Sequence, residues 1–493
     1  MNNQIRKVAI VGRDLDGWMT AFFLKSVLDK SRGRYDITFI DLGTQLTAHD
    51  FYAVLPSYKM LHKTLGANEE KLRATAKARI YFGQRFSGWN PELPDFFHAY
   101  DRHGIDFNGV DFFQYWIKAT QNGLKLPLEE FSLGVAAAKH RRFVAGADES
   151  GFSHAAHGYH LSASEYVDAI ARAAKNAGVK HITGYLKSIH RDDEQIESLE
   201  LQDGTVIKAD FYIDASGSDS RLIGALSDKN SDQHIESWDH WFHCDRVVTA
   251  SSSPLSPIPA FSQITTLSNG WCGLYPLENR TAVQALYSSE YTEFDKVAEE
   301  IKTCLGAEIH DGGERKIKCC ILKRPWIGNC LAVGSAAAVL EPLDALQQHA
   351  LVISIVLLRQ LFPNSEEYKN ERKVYNNKIH SFIENLRNFQ LAHYALNSRK
   401  EPFWQACRGA DIPDALARKV ALFKDYGYAS ILEDETFQEE NWISVFNGHG
   451  LTPASYSPLV DNMEEADMIR GFQNILATIK NKIESSSVMD NYR

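Results

Sequence analysis

The pattern of apolar and polar positions divides the chain into recognisable pieces. Residues 5–11, ending in Val8-Ala9-Ile10-Val11, predict a strand buried on both faces. After the turn Gly12-Arg13-Asp14-Leu15-Asp16, residues 17–30 predict a helix, and Tyr35 to Asp41 (YDITFID) predict a second buried strand. Ala163 to Gly178 has helical character, and Ile196 to Lys208 predicts a hairpin whose Asp203-Gly204 suits a type I′ turn. Ala209 to Gly217 (ADFYIDASG) reads as a strand entering a small-residue turn, and Cys330 to Leu340 (CLAVGSAAAVL) as a third strand-to-helix junction. The stretches Phe86 to Ala138 and Ala250 to Ala307 are aromatic-rich and strand-prone. After Pro363 the pattern becomes helical and charged, and Ser485 to Arg493 reads as a frayed tail.

Length changes this picture by asking for more than one core: 493 residues suit two closely joined domains. A hydrophobic share of 44%, with 11% aromatic and 24% charged residues, is globular and favours a ring-lined interior. The net charge of −10, with no basic block, argues against a nucleic-acid partner. Seven cysteines without C-x-x-C pairs read as free thiols in a reducing compartment, with Cys319-Cys320 in a strand, and imply no metal site. No leader precedes the first strand, and the apolar run Ala350 to Leu358 is too short to cross a bilayer, so a cytoplasmic protein without a membrane partner is expected.

Candidate chemistry concentrates at the strand-to-helix junctions. Three of them across most of the chain point to one nucleotide-binding sheet interrupted by long insertions. Asp41 stands 24 residues after Gly17, where such a fold places an acid for a ribose hydroxyl. In a G-x-G-x-x-G turn the middle glycine admits the pyrophosphate, and here that position is Asp14. A carboxylate there repels phosphate from the positive helix end. Alternatively, Asp14 or Asp16 simply caps the helix.

These pieces, taken in order, resemble the flavin-dependent tryptophan halogenases from about residue 5 to residue 465. The resemblance rests on GRDLDGWMTA at the first turn, FNGVDFFQYW (107–116), YIDASG (212–217) and GWCGLYPL (270–277). It continues through WIGNCLAVGSAAAVLEPLDA (326–345), His393-Tyr394 with Arg399 and Phe403-Trp404, and WISVFNGHGLTPASYSPLVD (442–461). It implies an α/β fold: an FAD/NAD(P)-binding Rossmann-like domain of the flavin monooxygenase type, an inserted β-rich substrate module and a helical C-terminal region. The expected domains are 1–85, 155–235 and 315–362 for FAD, 86–154 and 236–314 for substrate, and 363–493 for the helical region. It further implies FAD reduced by a separate flavin reductase, a small-molecule substrate and a homodimer. The family's flavin hydroperoxide oxidises halide to hypohalous acid, which reaches a lysine beside an electron-rich ring.

By the same resemblance, the cofactor positions are Gly12, Asp14, Gly17, Asp41, Ala53, Pro56, Gly334, Ser335 and Pro342, and the catalytic positions are Tyr81 and Asp344. Many depart from the family's residue types. The strap along the flavin reads Phe51-Tyr52-Ala53-Val54-Leu55-Pro56, keeping only the alanine and proline, so two aromatic side chains either stack near a flavin or fill its space. Tyr81 stands at the lysine position, eight residues before Trp89, and a phenol cannot form a haloamine. Arg79 shares its strand face but does not deprotonate to a nucleophile. Gly273 replaces the second tryptophan of W-x-W-x-I-P, Asp344 the family's glutamate, Ala345-Leu346-Gln347 its Ser-Thr-Gly, and Ser335 an acid. Asp344 also suits a helix cap. His98, His103, His160 and Trp116 either line a pocket or are structural.

Two functions follow. One is a halogenase-like, FAD-dependent oxidoreductase or monooxygenase for an aromatic or other electron-rich small molecule, with lysine-dependent halogenation impaired. The other is a catalytically silent scaffold that no longer binds FAD and acts as a binding or partner protein.

Overall fold

Strand β1 (Lys7–Gly12) lies inside a six-stranded sheet, which is why its sequence is an apolar run rather than an alternation. The structure is a computed structural model and describes residues 5–28, 35–144, 155–227, 234–306, 309–363, 365 and 367–489. Its chain forms two units. The first comprises Met1–Ala78, Leu161–His240 and Ile317–Arg387, the second Arg79–His160, Trp241–Lys316 and Asn388–Arg493.

In the first unit β1 leads into helix α1 (Asp14–Leu28) and β2 (Asp36–Asp41), followed by β3 (Phe51–Val54), α2 (Ala163–Asn176), β4 (Lys180–Thr183) and β5 (Phe211–Ala215). Next come β6 (Ile235–Ser237), β7 (Cys320–Leu322), β8 (Cys330–Ala332) and α3 (Leu346–Gln360), and α4 (Lys369–Ala395) carries the chain onward into the second unit. The sheet order is Trp326–Ile327, β8, β5, β1, β2, β4, parallel except at the short first strand. Ile10 lies opposite Ile213 on one side and Phe39 on the other. All three side chains are fully buried, each a stabilising contribution of roughly 1.5–3 kcal/mol.

The predicted hairpin is present as Gln195–Leu201 paired with Val206–Ile207, its turn held by the Thr205 N–H on the Asp203 carboxylate. The third junction differs from expectation. After β8 the chain makes a 3₁₀ turn at Gly334–Ala336 and a two-residue strand, Ala338–Val339, and the helix begins only at Leu346. Gly334 has φ +54, and this left-handed residue breaks the strand-to-helix run that the small residues suggested. The apolar run 350–358 is the buried stripe of α3. Among the described residues no helix is long and apolar enough to cross a membrane.

The second unit is built on a seven-stranded sheet in the order His310–Lys316, Arg246–Ser252, Thr281–Tyr287, Gly270–Pro276, Ser262–Leu267, Gly83–Ser87, Phe96–Ala99. Neighbours are antiparallel except Ser262–Leu267 with Gly83–Ser87. The stretch 86–138 is less strand-like than expected, because Phe112–Gln121 and Leu133–His140 are helices. Their N-caps explain the difference: Asp111 accepts from the Phe113 N–H, and Ser132 from the Val135 N–H. The expected frayed tail also pairs in part, Ser487–Val488 with Arg142–Phe143. Residues 29–30 of the expected first helix, residue 307 and residues 490–493 of the tail lie outside the described residues.

Candidate functional site

In the first unit the glycine turn between β1 and α1 is closed by the chain's own polar groups. Gly12 is required by packing, since a Cβ there would stand 2.5 Å from the Ala215 carbonyl oxygen, and one on Gly17 would meet the Phe39 ring at the same distance. Asp14 begins α1 with φ +47, a left-handed backbone that disfavours residues other than glycine. Its Oδ2 accepts from the Gln45 N–H at 3.1 Å, and burial raises its carboxyl despite that bond and one from Thr44.

Asp16 turns the other way, to the third junction. Its Oδ2 accepts from the Ser335 N–H at 2.9 Å, and burial pushes its carboxyl up to about 6. A Cβ on Gly334 would come within 2.7 Å of that oxygen, so the left-handed glycine is what lets the carboxylate dock. Neither acid therefore acts as the simple helix cap that the sequence allowed. Gln347 completes the closure: Oε1 accepts from the Leu340 N–H at 2.9 Å, and Nε2 donates to Ser335 Oγ and the Ala338 carbonyl, both at 3.2 Å. From β3, the Tyr52 phenol comes close to the Asp14 and Asp16 carboxylates at the start of α1. Burial, reinforced by the neighbouring Asp14 and Asp16 charges, raises that phenol well above its ordinary value.

The other first-unit positions are quieter. Asp41 ends β2 and accepts from the Gly43 N–H at 2.9 Å, with His181 Nε2 at 3.2 Å from its other oxygen. Ala53 is buried in β3 and Pro56 is half-buried; beyond it the Tyr58 hydroxyl donates to the Gln348 carbonyl at 3.1 Å. Pro342 is half-buried between Glu341 and Leu343, which are both inaccessible. Asp344 is 1% exposed and, like Ala345, left-handed, with φ +57 and +59. It does not cap α3, whose N-cap is Ala345. Lys77 is ion-paired to Glu165.

In the second unit, Tyr81 ends the strand Arg79–Tyr81 opposite Gly158 and is fully buried. Its ring stacks on His160 with centroids 4.1 Å apart and planes 17° apart, and its oxygen accepts from the Tyr100 hydroxyl at 3.0 Å. His160 is held between the Pro276 carbonyl (3.0 Å) and Ser262 Oγ (2.9 Å). Burial pushes its imidazole down to about 3, so the ring under Tyr81 is neutral. Gly273, where the family has a second tryptophan, is covered by Tyr275, whose ring a Cβ would meet at 2.6 Å. Trp271 Nε1–H donates to the Tyr394 hydroxyl at 2.9 Å.

Of the other rings raised from the sequence, His98 is fully buried among Tyr100, Phe389 and Phe437, and Trp116 Nε1–H donates to the Leu126 carbonyl. His103, pushed down to about 4 by burial, lines a cleft of about 220 Å³ with Leu93, Asp95, Phe97, Glu129 and Asn447. Sequence reasoning missed the Asp16–Ser335 and Tyr81–Tyr100 contacts. Both join residues whose positions carry no local pattern.

This architecture is that of a flavin-dependent halogenase. BrvH, a flavin-dependent halogenase from Brevundimonas sp. BAL3, superposes with a TM-score of 0.93 at 26% identity, covering 99% of this chain and 98% of that one. In sequence the chain is similar to the tryptophan 7-halogenase KtzQ of Kutzneria sp. (strain 744), 23% identical over 522 residues, 98% of this chain and 96% of that protein. It is also similar to the tryptophan 7-halogenase RebH of Lentzea aerocolonigenes, 23% identical over 94% of this chain and 93% of that one. The tryptophan halogenase family model matches residues 7–465, and the chain belongs to that family.

Membership implies FAD, with reduced flavin supplied by a separate reductase. The residues of this turn do not fit its pyrophosphate. The helix start that would face the phosphates carries a carboxylate at Asp14. The close approach that Gly334 would offer a cofactor is taken by Asp16.

Proposed function

We propose that this chain is a tryptophan-halogenase-like protein in which lysine-dependent halogenation is impaired, and that it works as a binding protein on the halogenase scaffold without carrying FAD. The observation that carries this reading is the Asp16 carboxylate seated against Gly334 on the Ser335 N–H, where a flavoprotein keeps its backbone open for ligand. Tyr81 supports it from the other unit. A neutral phenol stacked on a neutral imidazole offers neither a haloamine nor a cation. The ligand class we assign is an aromatic or other electron-rich small molecule, in keeping with relatives named for tryptophan.

A second reading, an FAD-dependent oxidoreductase or monooxygenase with altered chemistry, is favoured by one feature. Asp41 stands at the end of β2 as a ribose acid should. Titration of the protein with oxidised and with reduced FAD, followed by flavin absorbance and tryptophan fluorescence, separates the two. The first reading expects no saturable change up to high micromolar flavin. Saturation at low micromolar FAD sinks it and leaves the second, which a reductase-coupled oxygen-consumption assay with and without bromide then tests.

A further inference from the structure

On the far end of the first unit's chain, α4 and β6 bring three ligand-bearing side chains together. Glu236 on β6 and His380 and Glu384 on α4 each offer one nitrogen or oxygen, all within 4.8 Å of one another, and all three residues are half-buried. His380 and Glu384 are four residues apart, so one turn of helix stacks them on a single face. They are the one such group among the described residues.

Three contacts around the cluster orient it. His380 Nε2 lies 3.1 Å from the Lys323 carbonyl oxygen, an acceptor, so in the neutral ring this nitrogen carries the hydrogen and Nδ1 the lone pair. Nδ1 faces Glu384 Oε1 at 4.0 Å, and two acceptors then confront each other across a gap that suits a shared cation. On the third ligand, Trp238 Nε1–H donates to Glu236 Oε1 at 2.8 Å and Arg387 to the same oxygen at 3.4 Å. Both supports are fixed: Trp238 is fully buried, Arg387 is 5% exposed, and the guanidinium lies over the indole at 5.2 Å. They hold the carboxylate by one oxygen and leave the other to a ligand. A backbone carbonyl behind the histidine and a donor pair behind the carboxylate are the outer contacts that metal ligands use. Two carboxylates against one guanidinium leave a net negative charge.

We propose that Glu236, His380 and Glu384 form a site for a divalent transition-metal ion of the zinc and cobalt class. One imidazole nitrogen and two carboxylate oxygens suit such an ion better than magnesium, and three protein ligands leave coordination positions for water. The site lies apart from the glycine turn in sequence and uses none of its residues, so it does not depend on whether FAD binds.

The test uses the full chain, stripped with a chelator and titrated with Co²⁺, its visible bands recorded, then with Zn²⁺ in competition. One equivalent of Co²⁺ should bind with a d–d spectrum of mixed nitrogen and oxygen ligation, and Zn²⁺ should displace it. His380→Gln and Glu384→Gln, each checked for folding by circular dichroism, should weaken binding by more than about tenfold. Absence of a Co²⁺ spectrum in the parent protein overturns the proposal. So does an unchanged affinity in both folded variants, which would place the ion elsewhere.

Discussion

The glycine turn of the first unit and the Tyr81 strand of the second, the two places to which the family resemblance assigns chemistry, are filled by different physics. At the turn the filling is polar: two carboxylates and an amide oxygen accept from the backbone N–H groups of Gln45, Ser335 and Leu340. At Tyr81 it is aromatic, with the ring stacked on His160 and edge-on to Tyr100, whose hydroxyl it also meets. A polar filling responds to pH and can be exchanged for another polar ligand. A close-packed ring pair responds to volume and charge, and tolerates neither change well.

The comparison is tested most severely by Tyr81→Lys. The family's residue would place an ammonium in a fully buried slot against a neutral histidine, and we expect a loss of about 3–5 kcal/mol in urea unfolding with no halogenation gained. A variant as stable as the parent would show that the slot is more open than its packing implies.

Asp16→Asn should act in the opposite sense. Its carboxyl is raised from 3.8 to about 6, so below pH 4 both states are protonated, while between 4 and 6 the folded state keeps a proton that the unfolded state releases. Stability contributed by this group therefore falls as pH rises through that window. The asparagine variant should be more stable at pH 8 by about 1–3 kcal/mol and should lose that part of the pH dependence. Denaturation midpoints measured from pH 4 to 8 decide it.

Tyr52→Phe keeps the ring and removes the buried hydroxyl beside Asp14 and Asp16. It should cost about 1 kcal/mol, and if the polar filling is what excludes flavin, Tyr52→Phe combined with Asp16→Asn should bind FAD better than either alone. The smallest effect is expected for Asp14→Gly. Relief of the left-handed backbone is offset by loss of the bond to Gln45, leaving stability within about 1 kcal/mol of the parent by thermal unfolding.

The buried parallel strands were legible because both faces are covered, and Val8 to Val11 announce this without help from the rest of the chain. The hairpin at Asp203-Gly204 was legible for a similar local reason. Where the reading failed, a single residue outweighed the pattern: Gly334 turned a presumed helix start into a 3₁₀ turn, and the caps Asp111 and Ser132 converted aromatic stretches into helices. At the candidate site, the departures from the family's residue types could be read at Asp14, Tyr52, Tyr81 and Gln347. What each side chain grips instead could not, because Asp16 meets Ser335 319 positions away and no periodicity encodes that meeting. Glu236 with His380 is of the same kind, one partner on a strand and one on a distant helix.

The order of strands in the first sheet has a consequence for synthesis on the ribosome. β5 is bordered on one side by β1 and on the other by β8, which follows it by more than a hundred residues. Until residue 332 has emerged, β5 presents an unpaired edge, and at about 5–20 residues per second that interval lasts roughly 6–23 seconds. The nascent chain thus passes through a stage in which the five-residue strand Phe211–Ala215 has only its β1 edge paired and offers the other to any competing strand.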